Sequence, residues 1–399
     1  MKKQLLLLFF CSLCMSAIGN GLAPLAPLYA LTLGASPGQA GWPLASANIA
    51  LALGTLTAAW LANRARSDKW AIVAAGLLSG PLFILLGYAI SVWQLTLLLT
   101  IAWFCGGIAG VLMNVLTALY ADPTQRGRTF GLMHLALPLG GFIGAISIGW
   151  LAEGLGYPTM FLVVGVLAIS WPLLALLGLA DIRPAHRRSD AARAAASDAH
   201  SLNSAVYALL VTGLLSSTAI IAGQFGTSLL MQMLDFSTSA ISSTAAVGGL
   251  VSIPILPLFG IVSDRLGRRS CLTISYLLAA GGVVLLAGAS QLWHFWAAAA
   301  LLSIARAAGI SVASAFVTDL LPRAALGRGL ALVNTISWVA AFVGFAGSGY
   351  VLEQLGAPAL FGIAAGLACS AALVLELLPS MRRAGQPAAA QLEQSSLSG

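Results

Sequence analysis

Charged side chains are scarce in this sequence: 19 Lys and Arg and 12 Asp and Glu make up 8% of 399 residues, against roughly a quarter in soluble domains. That excludes a chain whose surface lives in water. Histidine is scarcer still, with four dispersed copies and no HExxH. No Gly-rich nucleotide loop and no paired intramembrane carboxylates occur, so an ATP-driven pump on this chain alone and a polytopic membrane enzyme are both disfavoured. No cofactor and no bound metal are expected. The five cysteines, Cys11, Cys14, Cys105, Cys271 and Cys369, are scattered through apolar segments and form no disulfide framework. Cys11 and Cys14 spell CxxC, but without a His or acidic neighbour they read as packing residues.

Apolar residues fill the space that charge leaves, at 59% of the chain with a mean hydropathy of +0.95. A membrane crossing takes about 20 such residues. Twelve segments meet the requirement, at 4–31, 41–62, 70–91, 94–121, 129–152, 157–180, 204–231, 240–262, 270–290, 292–320, 329–352 and 357–379. The expected fold is an all-α membrane protein of two six-helix bundles, at 1–180 and 204–379, with a charged linker at 181–203 and a disordered tail at 380–399. Of the 19 basic residues, all but Arg306 lie at the termini, in the linker, or in the loops after helices 2, 4, 8 and 10. An even number of crossings puts these on one side, which the positive-inside rule makes the cytoplasm of an inner membrane. Both termini are expected there. The pI of about 9.5 then reports topology and contact with lipid headgroups, and no nucleic-acid partner is expected. Lys2, Lys3 and the run Leu5 to Phe10 imitate a secretory signal, but the apolar stretch continues through Pro24 and Pro27, too long for a signal core.

The chain is also a duplication. Gly127, Arg128, Phe142, Gly144, Gly149, Glu153, Gly156, Pro158 and Phe161 recur without a gap as Gly327, Arg328, Phe342, Gly344, Gly349, Glu353, Gly356, Pro358 and Phe361. Duplicated membrane bundles mark secondary transporters, whose halves rock about a site between them.

The string GIVSDRLGRR at 260–269 carries the sharpest signal. Gly260, Asp264, Arg265, Gly267, Arg268 and Arg269 match the loop G-x-L-A-D-R-x-G-R-K/R, and here the sequence resembles the major facilitator superfamily. The resemblance extends to the six-plus-six layout over nearly the whole chain. It implies alternating access, with this loop a cytoplasmic latch and Asp264 contacting the start of helix 5. A carboxylate there can face a positive helix N-terminus, and Gly267 permits the turn. In the first half the acid is replaced by Asn63, followed by Arg64, while the turn glycine becomes Arg66, so the latch is expected to be asymmetric. Leu137 to Gly141 partly matches the exporter pattern G-P-x-x-G-G, which points toward efflux.

Arg306, midway along helix 10, is the one basic residue at membrane depth. Such a charge costs several kcal/mol unless it faces a cavity or a partner, so a role in binding an anionic or polar solute is expected beside a structural alternative. The resemblance places helices 1, 4, 7 and 10 around the cavity, which adds Asn20, Asn114 and Gln224, while His134 and Asn334 occupy equivalent repeat positions. Asp122, Asp319 and Glu376 lie near cytoplasmic helix ends and Asp235 near the outside, so no carboxylate relay is evident. The function expected is a monomeric secondary transporter of a small organic solute, with protons as the coupling ion and efflux as the direction. The alternatives are uptake or uniport of an anionic metabolite through Arg306, and a non-transporting receptor on the same fold.

Overall fold

The computed structural model describes residues 2–64, 68–122, 126–180, 204–321 and 326–377, with the side chains at 2, 59, 62–64, 126–128 and 326–328 outside the description. The expected linker at 181–203, the tail at 380–399 and the side chains of Asn63 and Arg64 therefore lie outside the described residues. The elements are α1 (Lys2–Leu22), α2 (Ala26–Thr32), α3 (Pro37–Ala40), α4 (Trp42–Arg64), α5 (Asp68–Leu86), α6 (Val92–Tyr120), α7 (Arg126–His134), α8 (Ala136–Gly178), α9 (Ser204–Met233), α10 (Thr238–Leu266), α11 (Arg268–Ala287), α12 (Leu292–Leu320) and α13 (Leu326–Leu377). Helices are the outcome lipid demands, because each backbone N–H and C=O must find its partner within the segment.

Among the described residues nine helices are long and apolar enough to cross a membrane. Two of these, in α8 and α13, are interrupted at a single non-helical residue, Gly156 (φ 77°) and Gly356 (φ 80°). Taking their limbs separately and adding α4 gives twelve membrane-length segments. The loops expected at 153–156 and 353–356 are thus reduced to one-residue breaks, and only glycine adopts that backbone without strain. The first expected span, 4–31, is likewise two helices. α1 stops at Leu22 and α2 starts at Ala26, because Pro24 cannot donate to the helical ladder while Pro27 suits a first turn.

Serines start several of the helices. Ser36 accepts from Gln39 N in a capping box at α3, Ser91 accepts from Gln94 N at α6, and Ser237 accepts from Ala240 N at α10.

Helices α1, α4, α5, α6 and α8 pack among themselves, as do α9 to α13, while α8 meets α10 and α4 meets α13 across the two sets. The apolar cores show how the sets join. One core holds residues of both, including Leu25, Tyr29, Leu86 and Phe161 with Phe225, Leu286, Phe295 and Phe361. At the opposite end each set has its own: Leu8, Ile72, Leu112 and Trp171 in the first, and Val206, Cys271, Phe316 and Leu375 in the second. We call the end with the shared core outer and the end with separate cores, where α1 starts and α13 stops, inner. The space between the sets opens toward the inner end.

The outer contact is close and polar as well as apolar. Ser242 donates to Ala145 O, and Trp42 meets Phe342 edge-on at 6.1 Å between ring centroids. The Glu153 carboxylate accepts from Ser239 N at 2.8 Å, and the Glu353 carboxylate accepts from Gly38 N at 2.7 Å and Ser36 Oγ at 2.8 Å.

Candidate functional site

Helix α12 is apolar on the faces that pack, and Leu302, Ala305, Ala307 and Ala308 around its midpoint are buried. Arg306 sits among them, yet its side chain is exposed. A long cation that is exposed while its neighbours on the helix are buried is a side chain that leaves the packed face. Its Nη1 donates to Gln224 Oε1 at 3.2 Å, bridging α12 to the middle of α9. Among the described residues this is its sole hydrogen bond, and it makes no ion pair. Four of the five guanidinium N–H groups therefore stay available, and the one occupied partner is neutral. The arrangement can accept a carboxylate or phosphate in a two-point fork, which a lysine at the same position could not offer.

The other expected cavity residues divide. Gln224 is in direct contact with Arg306. Asn20 is half-buried, and its Nδ2 donates to Ser16 O and Ser16 Oγ, both at 3.1 Å, while Ser16 Oγ donates to Leu137 O at 2.9 Å. That chain ties α1 to the start of α8, so Asn20 has a bridging role. Asn114, His134 and Asn334 are exposed, and the His134 ring lies 6.3 Å from that of Phe130, one turn back on the same helix. The pseudosymmetric pair His134 and Asn334 holds equivalent places on α7 and α13 without meeting Arg306 or Gln224 in any hydrogen bond among the described residues.

The signature loop folds into a charge network at the inner end. Gly267 turns the chain with φ 87° between α10 and α11, which is why a glycine stands there. Arg268 pairs with Asp264 at 2.6 Å and reaches Asp319 of α12 at 3.2 Å. Arg268 also donates to Ser263 Oγ, and Arg269 to the Glu376 carboxylate. Thr273 Oγ1 donates to the same carboxylate at 2.7 Å, and Arg269 adds a bond to Glu376 O at 2.7 Å. Arg265 is exposed, and Gly260 is half-buried on α10. Asp264 is thus engaged within its own turn in this state, and Asp319 and Glu376, which the sequence marked only as helix-end acids, are the partners that lock α10, α11, α12 and α13 together. The first repeat supplies no equivalent acid, since Asn63 stands at the aligned position.

Sequence reasoning missed the cross-half contacts of the outer carboxylates. Glu153 and Glu353 were visible as members of the repeat, at identical positions 200 residues apart. Their partners, Ser36 to Gly38 and Ser237 to Ser239, lie outside the repeated segment and gave no signal of their own.

The family described as Major Facilitator Superfamily matches residues 8–256 and, in a second match, 206–398. Solved structures agree in fold. A bacterial homologue of the human lysosomal transporter Spinster, in an inward-facing and unoccupied conformation, superposes with a TM-score of 0.70 at 16% identity, covering 96% of this chain and 94% of that one. The nucleoside transporter NupG gives 0.75 at 18% identity, covering 94% and 99%. The human organic anion transporter MFSD10 (TETRAN) gives 0.67 at 16% identity, also covering 94% and 99%. No curated protein matches by sequence.

Proposed function

Because this chain belongs to the Major Facilitator Superfamily, a family of multi-pass membrane transporters, we propose that its solute is a small organic anion, held at Arg306 and Gln224 and carried by alternating access between two six-helix halves, 1–180 and 204–379. The observation that carries this reading is the Arg306 guanidinium, exposed midway along α12 with one neutral partner among the described residues. A cation at that depth is costly unless something compensates it. An anionic solute would supply the compensation, and a two-point contact would orient it. Asn114 on α6 would complete the wall from the first half. The human organic anion transporter among the structural neighbours is compatible with this class. Protons are the proposed coupling ion, with the termini and the 260–269 latch on the cytoplasmic side of an inner membrane and the carrier working as a monomer surrounded by lipid. Efflux as the direction has weaker support: Gly140 and Gly141 of the partial exporter pattern lie against α1, a packing role that suits flow either way.

The test is counterflow in proteoliposomes under an imposed pH gradient, with anionic, neutral and cationic solutes, for the parent and Arg306→Ala. Anion flux that vanishes in Arg306→Ala and returns in part with Arg306→Lys is the expected result. Flux of neutral or cationic solutes that survives Arg306→Ala would make the arginine structural and overturn the anion reading. Solute binding without flux would move the chain to the receptor class.

A further inference from the structure

We propose that Glu153 and Glu353 form a crossed outer gate, in which each half of the molecule closes the other by setting a carboxylate on the N-terminus of a foreign helix. Glu153 of α8 accepts from Ser239 N, the second residue of α10. Glu353 of α13 accepts from Gly38 N, the second residue of α3, and from the hydroxyl of Ser36, which caps that helix. Both acceptors reach across the division between the halves, and both find the same kind of target, a serine-capped helix start at its second residue. The first turn of a helix has N–H groups without intrahelical acceptors and a partial positive charge, so an anion placed there is favoured.

The surrounding backbone is shaped to permit this contact and little else. Each glutamate stands three residues before a left-handed glycine, Gly156 or Gly356, which ends the limb and leaves the carboxylate at its outer tip. A methyl group on Gly38 would run into the Glu353 carboxylate, so a larger residue there must push that carboxylate aside. Gly349 faces Pro37 O, where a methyl would sit 2.6 Å away, and Gly149 faces Ser242 Cβ, where it would sit 2.5 Å away. Each half thus contributes one carboxylate, one close-approach glycine and one capped helix start, in a pseudo-twofold arrangement that exists only while the outer ends touch. The inner network of Asp264, Arg268, Asp319, Arg269 and Glu376 lies within the second half and does not oppose it in this state. The pair therefore weights the cycle toward the state open at the inner end, and outward opening must release both carboxylates to water.

Spin labels on cysteines at Tyr88 and Ser290, exposed outer-end positions of the two halves, in a cysteine-free background reconstituted in lipid nanodiscs, report the separation by double electron–electron resonance. Glu153→Ala and Glu353→Ala should each raise the ratio of outer-open to outer-closed molecules by roughly two- to fivefold, as expected for one exposed carboxylate at a helix N-terminus. The double variant should multiply the two effects, since the sites share no partner. Gly38→Ala, which keeps both acids but displaces the Glu353 carboxylate, should shift the distribution in the same direction by no more than Glu353→Ala does. Label distances unchanged in the double variant would overturn the gate. The measurement needs no solute, so its outcome is independent of the anion assay.

Discussion

Two adjacent glycines of α6 should respond to alanine in opposite directions. Gly106 and Gly107 look equivalent in the sequence, but a methyl on Gly106 would meet nothing closer than Leu51 Cδ1 at 3.8 Å, an ordinary contact with the end of a flexible side chain. On Gly107 it would overlap Leu51 O and lie 3.1 Å from both Gly54 Cα and Thr55 N, all backbone of α4. Alanine gains roughly 0.5–1 kcal/mol over glycine in a helix interior by restricting the unfolded chain. At Gly106 that gain stands alone. At Gly107 it is set against overpacking of about 1–3 kcal/mol, at the upper part of that range because backbone cannot rotate aside and α4 must separate from α6. The expected outcome is a slight rise in thermal stability for Gly106→Ala and a net loss of about 1–2 kcal/mol for Gly107→Ala, a few degrees in melting temperature for a chain of this size. Cys11, Cys105 and Cys271 are free and buried, so unfolding in detergent can be followed by their reaction with a fluorogenic maleimide. A Gly106→Ala variant that melts at or below Gly107→Ala would refute the assignment of the α4–α6 contact to Gly107.

Two further substitutions test the fold. Gly156→Ala and Gly356→Ala force a side chain into a backbone region that is essentially reserved for glycine, so each should lose about 1–3 kcal/mol, seen as matched falls in melting temperature and in the monodisperse fraction on size exclusion; a fall at one site alone would break the equivalence of the repeats. Tyr29 is buried and donates its hydroxyl to Leu86 O at 3.0 Å, and Tyr29→Phe should cost about 1 kcal/mol while leaving the ring packed on Phe161; no change in melting temperature would show that water replaces the bond.

Much of the architecture is legible in the residues because lipid imposes a single requirement. Runs of about 20 apolar residues must be helical, and the place of Gly267 at a helix boundary follows from turn chemistry. The duplication also contained both helix breaks, since Gly156 and Gly356 are among the repeated positions. Sequence could not say which face a residue presents. Asn20 and Gln224 are both polar and lie within expected membrane spans, yet one is absorbed by Ser16 and the other meets Arg306. Gly106 and Gly107 differ by a rotation of about 100° around one helix axis, and only the position of α4 separates their roles. The outer carboxylates were hidden for another reason: a cross-half contact joins residues more than 80 positions apart for Glu153 and more than 300 apart for Glu353, and nothing in local composition records such a pairing.

With the anion proposed above as its solute, Arg306 would give the carrier two return strokes of unequal cost. While the halves stand apart at the inner end, the Arg306 side chain is exposed. Bringing them together would remove that exposure and leave a cation facing Gln224 alone, a penalty on the order of several kcal/mol for an unpaired charge. With an anion aboard, the ion pair takes the place of the lost hydration. The empty protein would then cross slowly and the loaded one quickly, so that trading one solute molecule for another outpaces net release of cargo.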